Sequence, residues 1–386
     1  MTMSKRQVAV VVTARPTYSR IKTALKEIDK HSKLNLQLVV AGSALLNRYG
    51  AAVNYIQEDG FLVAEKIYNV LEGENPTSMA KTTGIGIMEL ATAFQNLEPD
   101  IVVTVGDRFE TISTAIAAAY MNIPLVHVQG GEVTGNIDEK VRHAITKLAD
   151  VHFVSNEDAK RRLVKMGEVE ENIYVTGCPS IDLAASIKNT EISFNPFDKY
   201  KGVGAQFDYT RGYLVVMQHP VTTEYKEAKE QVLQLLKVIH ELNIPTFWFW
   251  PNVDAGSDGT SNGIRTYREL NALPNIHFFK NMEGKDFLKL IKQSSCLIGN
   301  SSVGIREASY LGVPVVNIGK RQNKRLRGHN VKDVNHDKAE IKNAILHQLN
   351  HGTYDGEELY GNGSSGKTIA KLLAHIELNI EKVIQY

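Results

Sequence analysis

The sequence predicts an α/β protein made of two doubly wound parallel-sheet domains that face a cleft. Three observations lead to this fold. Short apolar, β-branched runs alternate with helical segments along the chain, and such runs are typical of parallel strands buried on both faces. The alternation lapses once, between residues 188 and 211, where the sequence is polar and contains Pro and Gly. At 386 residues the chain is also longer than one hydrophobic core usually grows.

The first half of the chain predicts one such sheet, in an N-terminal domain over residues 1–188. Its strands are expected at residues 8–13, 36–41, 61–67, 101–105, 124–128, 151–154 and 173–176. Its main helices are expected at 18–30, 79–97, 109–121 and 156–166. A closing helix near the end of the chain, within 368–386, is expected to join this domain.

After a linker over residues 188–211, the second half predicts a C-terminal domain over residues 189–367. Strands are expected at 213–218, 246–250, 276–279, 296–299 and 313–318, with helices at 224–242, 263–271, 285–293, 303–311 and 337–349. Two domains of similar size and type are therefore expected.

Composition excludes several classes of protein. The 44 Lys and Arg residues nearly balance the 43 Asp and Glu residues, which argues against a nucleic-acid or membrane-surface binder. Cys178 and Cys296 lack the spacing of a disulfide framework or a zinc site. The apolar start reads as a first strand rather than a signal peptide, and no apolar run reaches the ~20 residues that cross a bilayer. We therefore expect a soluble, cytoplasmic protein, and we expect no metal or other cofactor.

The first domain carries acidic residues where two successive predicted strands end. Asp107 and Arg108 follow the strand over 101–105, Glu132 follows the next strand, and Asp138 and His143 lie close behind. Open α/β sheets bind ligands at the carboxyl ends of their strands. The alternative is that Asp107 and Asp138 are helix caps and Glu132 is a solvated loop residue. As a set, these residues indicate proton transfer beside an anion.

The second domain carries a candidate diphosphate site. The strand over 296–299 runs into Ser301 and Ser302 at a predicted helix start, where free N–H groups and hydroxyls favour an anion, and Glu307 follows in that helix. A serine cap with a dipole-favouring glutamate is the plain alternative. A basic loop with Arg321 ends the next strand. Further polar residues that end strands or begin helices at the predicted sheet edges are Arg15, His219 and Asn252.

A second phosphate motif is rejected. Residues 361–368, GNGSSGKT, match the phosphate-binding loop expression, including Lys367. No buried strand precedes them, so the segment is expected to be a mobile linker, and ATP or GTP hydrolysis is not expected.

Several motifs together show a resemblance to a known family. They are TARPTYSR, VGDRFE, HVQGGEVTGNIDEKVRHAITKLAD, TGCPSID, QHP and IGNSSVGIREASYLGVPVVNIGKRQ. In order, and over nearly the whole chain, the sequence resembles the hydrolysing UDP-N-acetylglucosamine 2-epimerases. The resemblance implies a glycosyltransferase-B-like architecture, a homodimer or homotetramer, and release of N-acetylmannosamine and UDP for sialic-acid-type sugar biosynthesis.

The resemblance also assigns roles to residues. It implies catalysis by Asp107, Glu132, Asp138 and His143, and UDP binding by Arg15, Ser19, Arg108, His219, Asn252, Ser301, Ser302, Glu307 and Arg321. A close alternative is the hydrolysing epimerase that takes UDP-2,4-diacetamido-2,4,6-trideoxyglucose toward legionaminic acid. A non-hydrolysing epimerase, a glycosyltransferase and a non-catalytic UDP-sugar sensor remain as rival hypotheses.

Overall fold

The structure is a computed structural model that describes residues 5–47, 50–72, 76–106, 108–133, 137–251 and 257–385. The chain divides into two compact units. The N-terminal unit comprises Met1–Asp182 and Tyr360–Tyr386, and the C-terminal unit comprises Leu183–Leu359. The domain boundaries expected at residues 188 and 367 remain a prediction.

The N-terminal unit contains a seven-stranded sheet in which every strand pair is parallel. Its strands are β1 (Arg6–Val12), β2 (Leu34–Ala41), β3 (Val63–Ile67), β4 (Ile101–Val105), β5 (Leu125–Val128), β6 (Val151–Val154) and β7 (Ile173–Val175). The order across the sheet is β3-β2-β1-β4-β5-β6-β7. Because β1 pairs with both β2 and β4, the winding direction reverses between β1 and β4, which we call the first switch point.

Helices cover this sheet and bury its apolar residues. They are α1 (Arg15–Lys30), α2 (Ala52–Glu58), α3 (Pro76–Leu97), α4 (Ile112–Tyr120), α5 (Ile137–Leu148), α6 (Glu157–Lys165) and α7 (Pro179–Ile187), whose last residues belong to the C-terminal unit. The sheet has β-branched residues on both faces, as in β4, which is buried along its length. This supports the prediction from the uninterrupted apolar runs.

The C-terminal unit contains a second seven-stranded sheet. Its strands are β8 (Val203–Gly204), β9 (Leu214–Met217), β10 (Thr246–Phe249), β11 (Ile276–Phe279), β12 (Cys296–Gly299), β13 (Val315–Ile318) and β14 (Val331–Val334), in the order β14-β13-β12-β9-β10-β11-β8. Its helices are α8 (Pro196–Tyr200), α9 (Ala228–Leu242), α10 (Ser257–Leu270), α11 (Gly284–Lys292), α12 (Glu307–Leu311) and α13 (Lys338–His351). β9 pairs with both β10 and β12, so the second switch point lies between β9 and β12.

Two expectations about the secondary structure were wrong. The polar stretch over 188–211 is not merely a linker, because it forms α8 and β8, and β8 pairs antiparallel with β11. Phe197 anchors this stretch, packing edge-on against Phe207 and His277. A helix of five residues and a strand of two are too short to produce a periodic pattern.

The closing helix is shorter than expected. It is α14 (Ser365–His375), and the chain from 376 to 385 is not helical. Ile369 and Leu373 of α14 lie in the core of the N-terminal unit, and the Arg6 guanidinium donates to the carbonyl of Leu373 over 2.6 Å. The helix thus packs on the N-terminal unit. Across the described ranges, no helix is long and apolar enough to span a membrane.

Candidate functional site

The loops at the second switch point are joined through one asparagine. Asn300 follows β12 and is 0% exposed. Its side-chain oxygen accepts from the backbone N–H of His219, and its side-chain NH₂ donates to the His219 carbonyl, each over 2.8 Å. His219 lies two residues beyond the end of β9, and Asn300 directly follows β12. This pair of bonds therefore connects the ends of the two strands that flank the switch point.

A glycine makes this approach possible. Gly299 has a φ of +129°, and a Cβ there would lie 2.1 Å from the carbonyl oxygen of Met217. Any side chain would therefore push β9 and β12 apart. The Asn300 backbone N–H donates to the same Met217 carbonyl over 3.0 Å.

The basic loop after β13 also contacts Asn300. The Arg321 guanidinium donates to the Asn300 carbonyl over 3.2 Å, and the side chain of Gln322 donates to it over 2.8 Å. Of the predicted set, the structure thus brings His219 and Arg321 to the loop that carries Ser301 and Ser302. Asn300 and Gln322 were missed as site residues; their only sequence signal was their position beside predicted ones.

The two serines lie in a tighter turn than expected. A 3₁₀ turn, Ser302–Gly304, follows Ser301, and α12 begins only at Glu307. The predicted helix start was therefore wrong by about one turn. Arg306, which is buried, donates from its guanidinium to the Ser302 hydroxyl over 3.0 Å. This buried cation beside the serines was not anticipated, because its neighbours in sequence gave no sign of its burial.

Glu307 is the first residue of α12. Its carboxylate oxygen Oε2 is buried and, among the described residues, has no hydrogen-bond partner. Buried carboxylate oxygens normally accept a hydrogen bond, so this atom is suited to a hydroxyl group of a ligand. Asn252, the remaining predicted residue of the second domain, lies outside the described residues.

At the first switch point the loops after β1 and β4 are in contact. The hydroxyls of Thr13 and Thr111 are 3.4 Å apart. Arg15 begins α1, and its guanidinium lies 5.0 Å from the centre of the Tyr55 ring. Ser19 is exposed on the next turn and donates its hydroxyl to the Arg15 carbonyl over 3.2 Å.

Arg108 is held by a carboxylate that the sequence analysis did not single out. Its Nε donates to Oε1 of Glu110 over 2.9 Å, and Glu110 is 3% exposed. The other oxygen of Glu110 is buried and has no hydrogen-bond partner in the described part of the chain. Asp107, between Gly106 and Arg108, lies outside the described residues.

Glu132 is buried rather than solvated. It is 5% exposed, and its Oε1 accepts from the hydroxyl of Ser155 over 2.8 Å. Its backbone carbonyl accepts from the buried Arg142 over 2.6 Å. The turn before it needs a glycine, because Gly131 has a φ of +74° and a Cβ there would lie 2.5 Å from the Ala159 carbonyl oxygen. The alternative of a solvated loop residue is therefore excluded.

Asp138 lies in the first turn of α5 rather than before the helix, so the cap that we considered for it does not apply. His143 lies one turn later and is partly exposed. Its Nε2 is 3.2 Å from a carboxylate oxygen of Glu139. Both predicted residues are thus on one helix, together with a further carboxylate.

A buried histidine supports the loop after β4. Nε2–H of His127 donates to the carbonyl of Gly106 over 2.9 Å, and the Thr146 hydroxyl donates to its Nδ1 over 3.3 Å. Because a carbonyl can only accept, these partners define the tautomer. Burial lowers the pKa of His127 to about 3, so the ring is neutral at physiological pH.

The false phosphate loop is occupied by a carboxylate of the protein itself. The backbone N–H groups of Ser365 and Gly366 donate to the two oxygens of Asp182 over 2.8 and 2.7 Å. The Thr23 hydroxyl donates to the same carboxylate over 2.9 Å. The segment is therefore held in place, contrary to the mobile linker that we expected. Within the described ranges, no cluster of three or more His, Cys, Asp or Glu residues is arranged to hold a metal ion.

Comparison with solved structures shows the same fold. A UDP-GlcNAc 2-epimerase from Neisseria meningitidis, solved with UDP-GlcNAc bound, superposes with a TM-score of 0.78 at 18% identity, covering 95% of this chain and 99% of that one. A UDP-GlcNAc 2-epimerase from Methanocaldococcus jannaschii gives 0.77 at 17% identity, covering 95% and 99%. The predicted fold class, two doubly wound parallel-sheet domains of the glycosyltransferase-B-like kind, is confirmed.

Relatives found by sequence have a higher identity to this chain than these solved structures. A UDP-N,N'-diacetylbacillosamine 2-epimerase (hydrolyzing) from Legionella pneumophila is 33% identical over 374 residues, 97% of each chain. A UDP-N-acetylglucosamine 2-epimerase from Neisseria meningitidis serogroup B is 29% identical, covering 97% of this chain and 96% of the relative. Residues 26–374 match the family described as UDP-N-acetylglucosamine 2-epimerase. The protein therefore belongs to the UDP-N-acetylglucosamine 2-epimerase family.

Proposed function

We propose that this protein is a hydrolysing UDP-sugar 2-epimerase, which converts UDP-N-acetylglucosamine and water to N-acetylmannosamine and UDP. The observation that carries the proposal is the meeting of three loops at Asn300. It joins His219, the serine turn and Arg321 at the carboxyl end of the second sheet. Open α/β sheets bind nucleotides at such switch points.

The C-terminal unit is proposed to bind UDP. Ser301, Ser302, His219 and Arg321 would contact the diphosphate, because hydroxyl, imidazole and guanidinium groups donate hydrogen bonds to phosphate oxygens. Glu307 would accept from a ribose hydroxyl, which would satisfy its buried Oε2. Asn252 stays in the set as a prediction.

Residues of the N-terminal unit complete the proposed UDP-binding set, namely Arg15, Ser19 and Arg108. The two guanidinium groups would stabilise the negative charge that UDP gains as it departs, which is electrostatic stabilisation of a developing charge. The ion pair with the buried Glu110 would hold the Arg108 guanidinium in one orientation.

The chemistry requires groups that exchange protons. Carbon 2 of the sugar is not appreciably acidic until the bond from carbon 1 to UDP begins to break. As UDP leaves with the bonding electron pair, a carboxylate removes the proton on carbon 2 and a glycal forms. Water then adds its oxygen to carbon 1, and a proton returns to carbon 2 on the opposite face. Asp107, Glu132 and Asp138, with His143, are the proposed groups.

Two acid–base groups with different proton affinities are needed, since one removes a proton and another returns one. Neighbouring carboxylates raise one another's pKa, which lets one serve as an acid while another serves as a base. The burial of Glu132 and the bond that its Oε1 accepts from Ser155 support a role in this pair, because they hold the carboxylate in one orientation.

The names of the relatives bear on the substrate. Those at 33% and 32% identity, from Legionella pneumophila and Campylobacter jejuni, are both called hydrolysing and both carry diacetylbacillosamine in their names. This sugar is 2,4-diacetamido-2,4,6-trideoxyglucose. It favours the UDP-linked form of that sugar as a second candidate substrate. A role in sialic or legionaminic acid synthesis, a cytoplasmic location and a homodimer or homotetramer remain predictions.

One assay tests the proposal. The protein is incubated in D₂O with UDP-N-acetylglucosamine or with the UDP-linked diacetamido sugar, and the products are identified by NMR. We expect UDP and a free 2-epimerised sugar with deuterium at carbon 2. A product still linked to UDP would indicate a non-hydrolysing epimerase, and free sugar without deuterium would exclude the elimination route. Binding without turnover would indicate a sensor, and turnover that needs an added acceptor would indicate a glycosyltransferase.

A further inference from the structure

Both the oxygen and the nitrogen of the Asn300 side-chain amide bind the same residue. The side-chain oxygen and nitrogen bind the backbone N–H and carbonyl of His219, at 2.8 Å each. Since an N–H must face the carbonyl and an oxygen must face the N–H, only one orientation of the amide fits. An aspartate of the same size would place an oxygen against the His219 carbonyl, and a leucine would leave both backbone groups unpaired.

Its backbone carbonyl holds a second loop. Arg321 and the buried Gln322 both donate to this atom, at 3.2 and 2.8 Å. The Asn300 N–H donates to the Met217 carbonyl, so the backbone on both sides of Asn300 is held. One residue therefore sets the positions of two others that come from different strands.

We propose that Asn300 is a positioning residue that orients His219 and Arg321 for the diphosphate, an inference that rests on the proposed function. Both backbone groups of His219 bind Asn300, and the imidazole is the group of His219 that we propose to contact the diphosphate. Asn300 is 0% exposed and acts through its neighbours, without touching the ligand.

A double-mutant cycle tests this role. The variants are Asn300→Ala, His219→Ala and the double variant, and calorimetry measures UDP affinity. We expect Asn300→Ala to weaken UDP binding about tenfold. Most of this loss should appear as coupling with His219, within the usual range for residues in contact. In the His219→Ala background we expect a much smaller loss, because the imidazole that the Asn300 side chain positions is already gone and alanine keeps the backbone carbonyl that binds Arg321. Losses that multiply in the double variant would overturn the proposal.

Asn330 offers a matched control. It is also a buried asparagine of the C-terminal unit, but its amide binds Ser309 and the Val313 carbonyl, ahead of the strands β14 and β13 rather than after them. Asn330→Ala removes the same kind of buried amide. We expect it to lower thermal stability and to leave UDP affinity unchanged. An equal loss of UDP affinity in this variant would show that the effect of Asn300→Ala is only structural.

A second variant at the same position keeps the proposal testable if Asn300→Ala does not fold. Asn300→Asp keeps the volume of the side chain and replaces only the donor, and we expect weaker UDP binding that partly recovers at lower pH, where the carboxyl group gains a proton to donate. Unchanged affinity in a folded Asn300→Asp would contradict the proposal. Wild-type protein that binds no UDP would instead overturn the proposed function, so the two failures are distinguishable.

Discussion

The two switch points occupy equivalent places in two similar sheets, yet their side chains are held by different forces. At the first, an ion pair joins the partly exposed Arg108 to Glu110, which is 3% exposed. At the second, the neutral amide of Asn300 makes the main connections. One topology is therefore connected by an ion pair at one switch point and by a neutral amide at the other, and we expect substitutions at the two points to have different effects.

The largest expected effect concerns Glu132, which follows β5 in the sheet that contains the first switch point. Glu132→Gln keeps the size of the side chain and its bond from Ser155 but removes its basicity. We expect kcat to fall by ~10²–10⁴, the usual effect of losing an acid–base group, with UDP affinity unchanged. Steady-state release of UDP and calorimetry are the two measurements. Ser155→Ala should slow the reaction less, and a fully active Glu132→Gln would remove this residue from the acid–base pair.

Arg321 tests the second switch point. Arg321→Ala should weaken UDP binding by roughly 1.5–3 kcal/mol, since a charge-assisted bond to phosphate is lost. Calorimetric titration measures the change. Lys320→Ala is the matched control, because it removes an adjacent positive charge from an exposed side chain. Equal losses in both variants would mean that general charge, rather than the position of Arg321, governs UDP binding.

His127 predicts a pH dependence of stability for the first switch point. Its pKa is about 3 in the folded protein against 6.5 ordinarily. Below pH 6.5 the unfolded chain binds a proton that the folded chain does not, so stability is lost as pH falls from 6.5 toward 3, by up to roughly 1.4 kcal/mol per pH unit. Burial lowers the pKa of His152 as well, which acts in the same direction.

Urea denaturation at pH 7.5, 6.5 and 5.5 measures this loss. His127→Gln replaces the ring by a group that does not titrate, so we expect the free energy of unfolding to fall less steeply in that variant between pH 6.5 and 5.5. Equal slopes in the two proteins would mean that His127 is not the group responsible.

The smallest effect is expected at Lys367, outside both switch points. Because Asp182 already occupies the helix start that a phosphate would need, Lys367→Ala should retain most activity, and the protein should not hydrolyse ATP. Asp182→Asn is the contrasting variant and should destabilise the fold by about 1 kcal/mol, as expected for a lost cap. A phosphate-release assay and thermal unfolding test both, and ATP turnover that Lys367→Ala abolishes would contradict this assignment.

The sequence alone determined the parts of this protein that depend on local pattern. Continuous runs of β-branched residues predict buried strands such as Ile101–Val105. Glycines at or after the ends of such runs, among them Gly131 and Gly299, indicated where the strands end. Parallel strands place their carboxyl ends at one edge, and for this reason His219, the serine turn and Arg321 could be grouped before the structure was known.

Only the tertiary structure decided which partner each polar residue has. Asn300 and His219 are 81 residues apart, and Asp182 and Ser365 are 183 apart. Asparagine and aspartate are also common as helix caps and turn residues at the surface. The neighbouring sequence therefore does not show whether such a side chain is exposed or is buried and bonded to a distant segment. Burial removes water as a competing partner and makes each such bond specific, and burial is set by the packing of distant segments rather than by the local sequence.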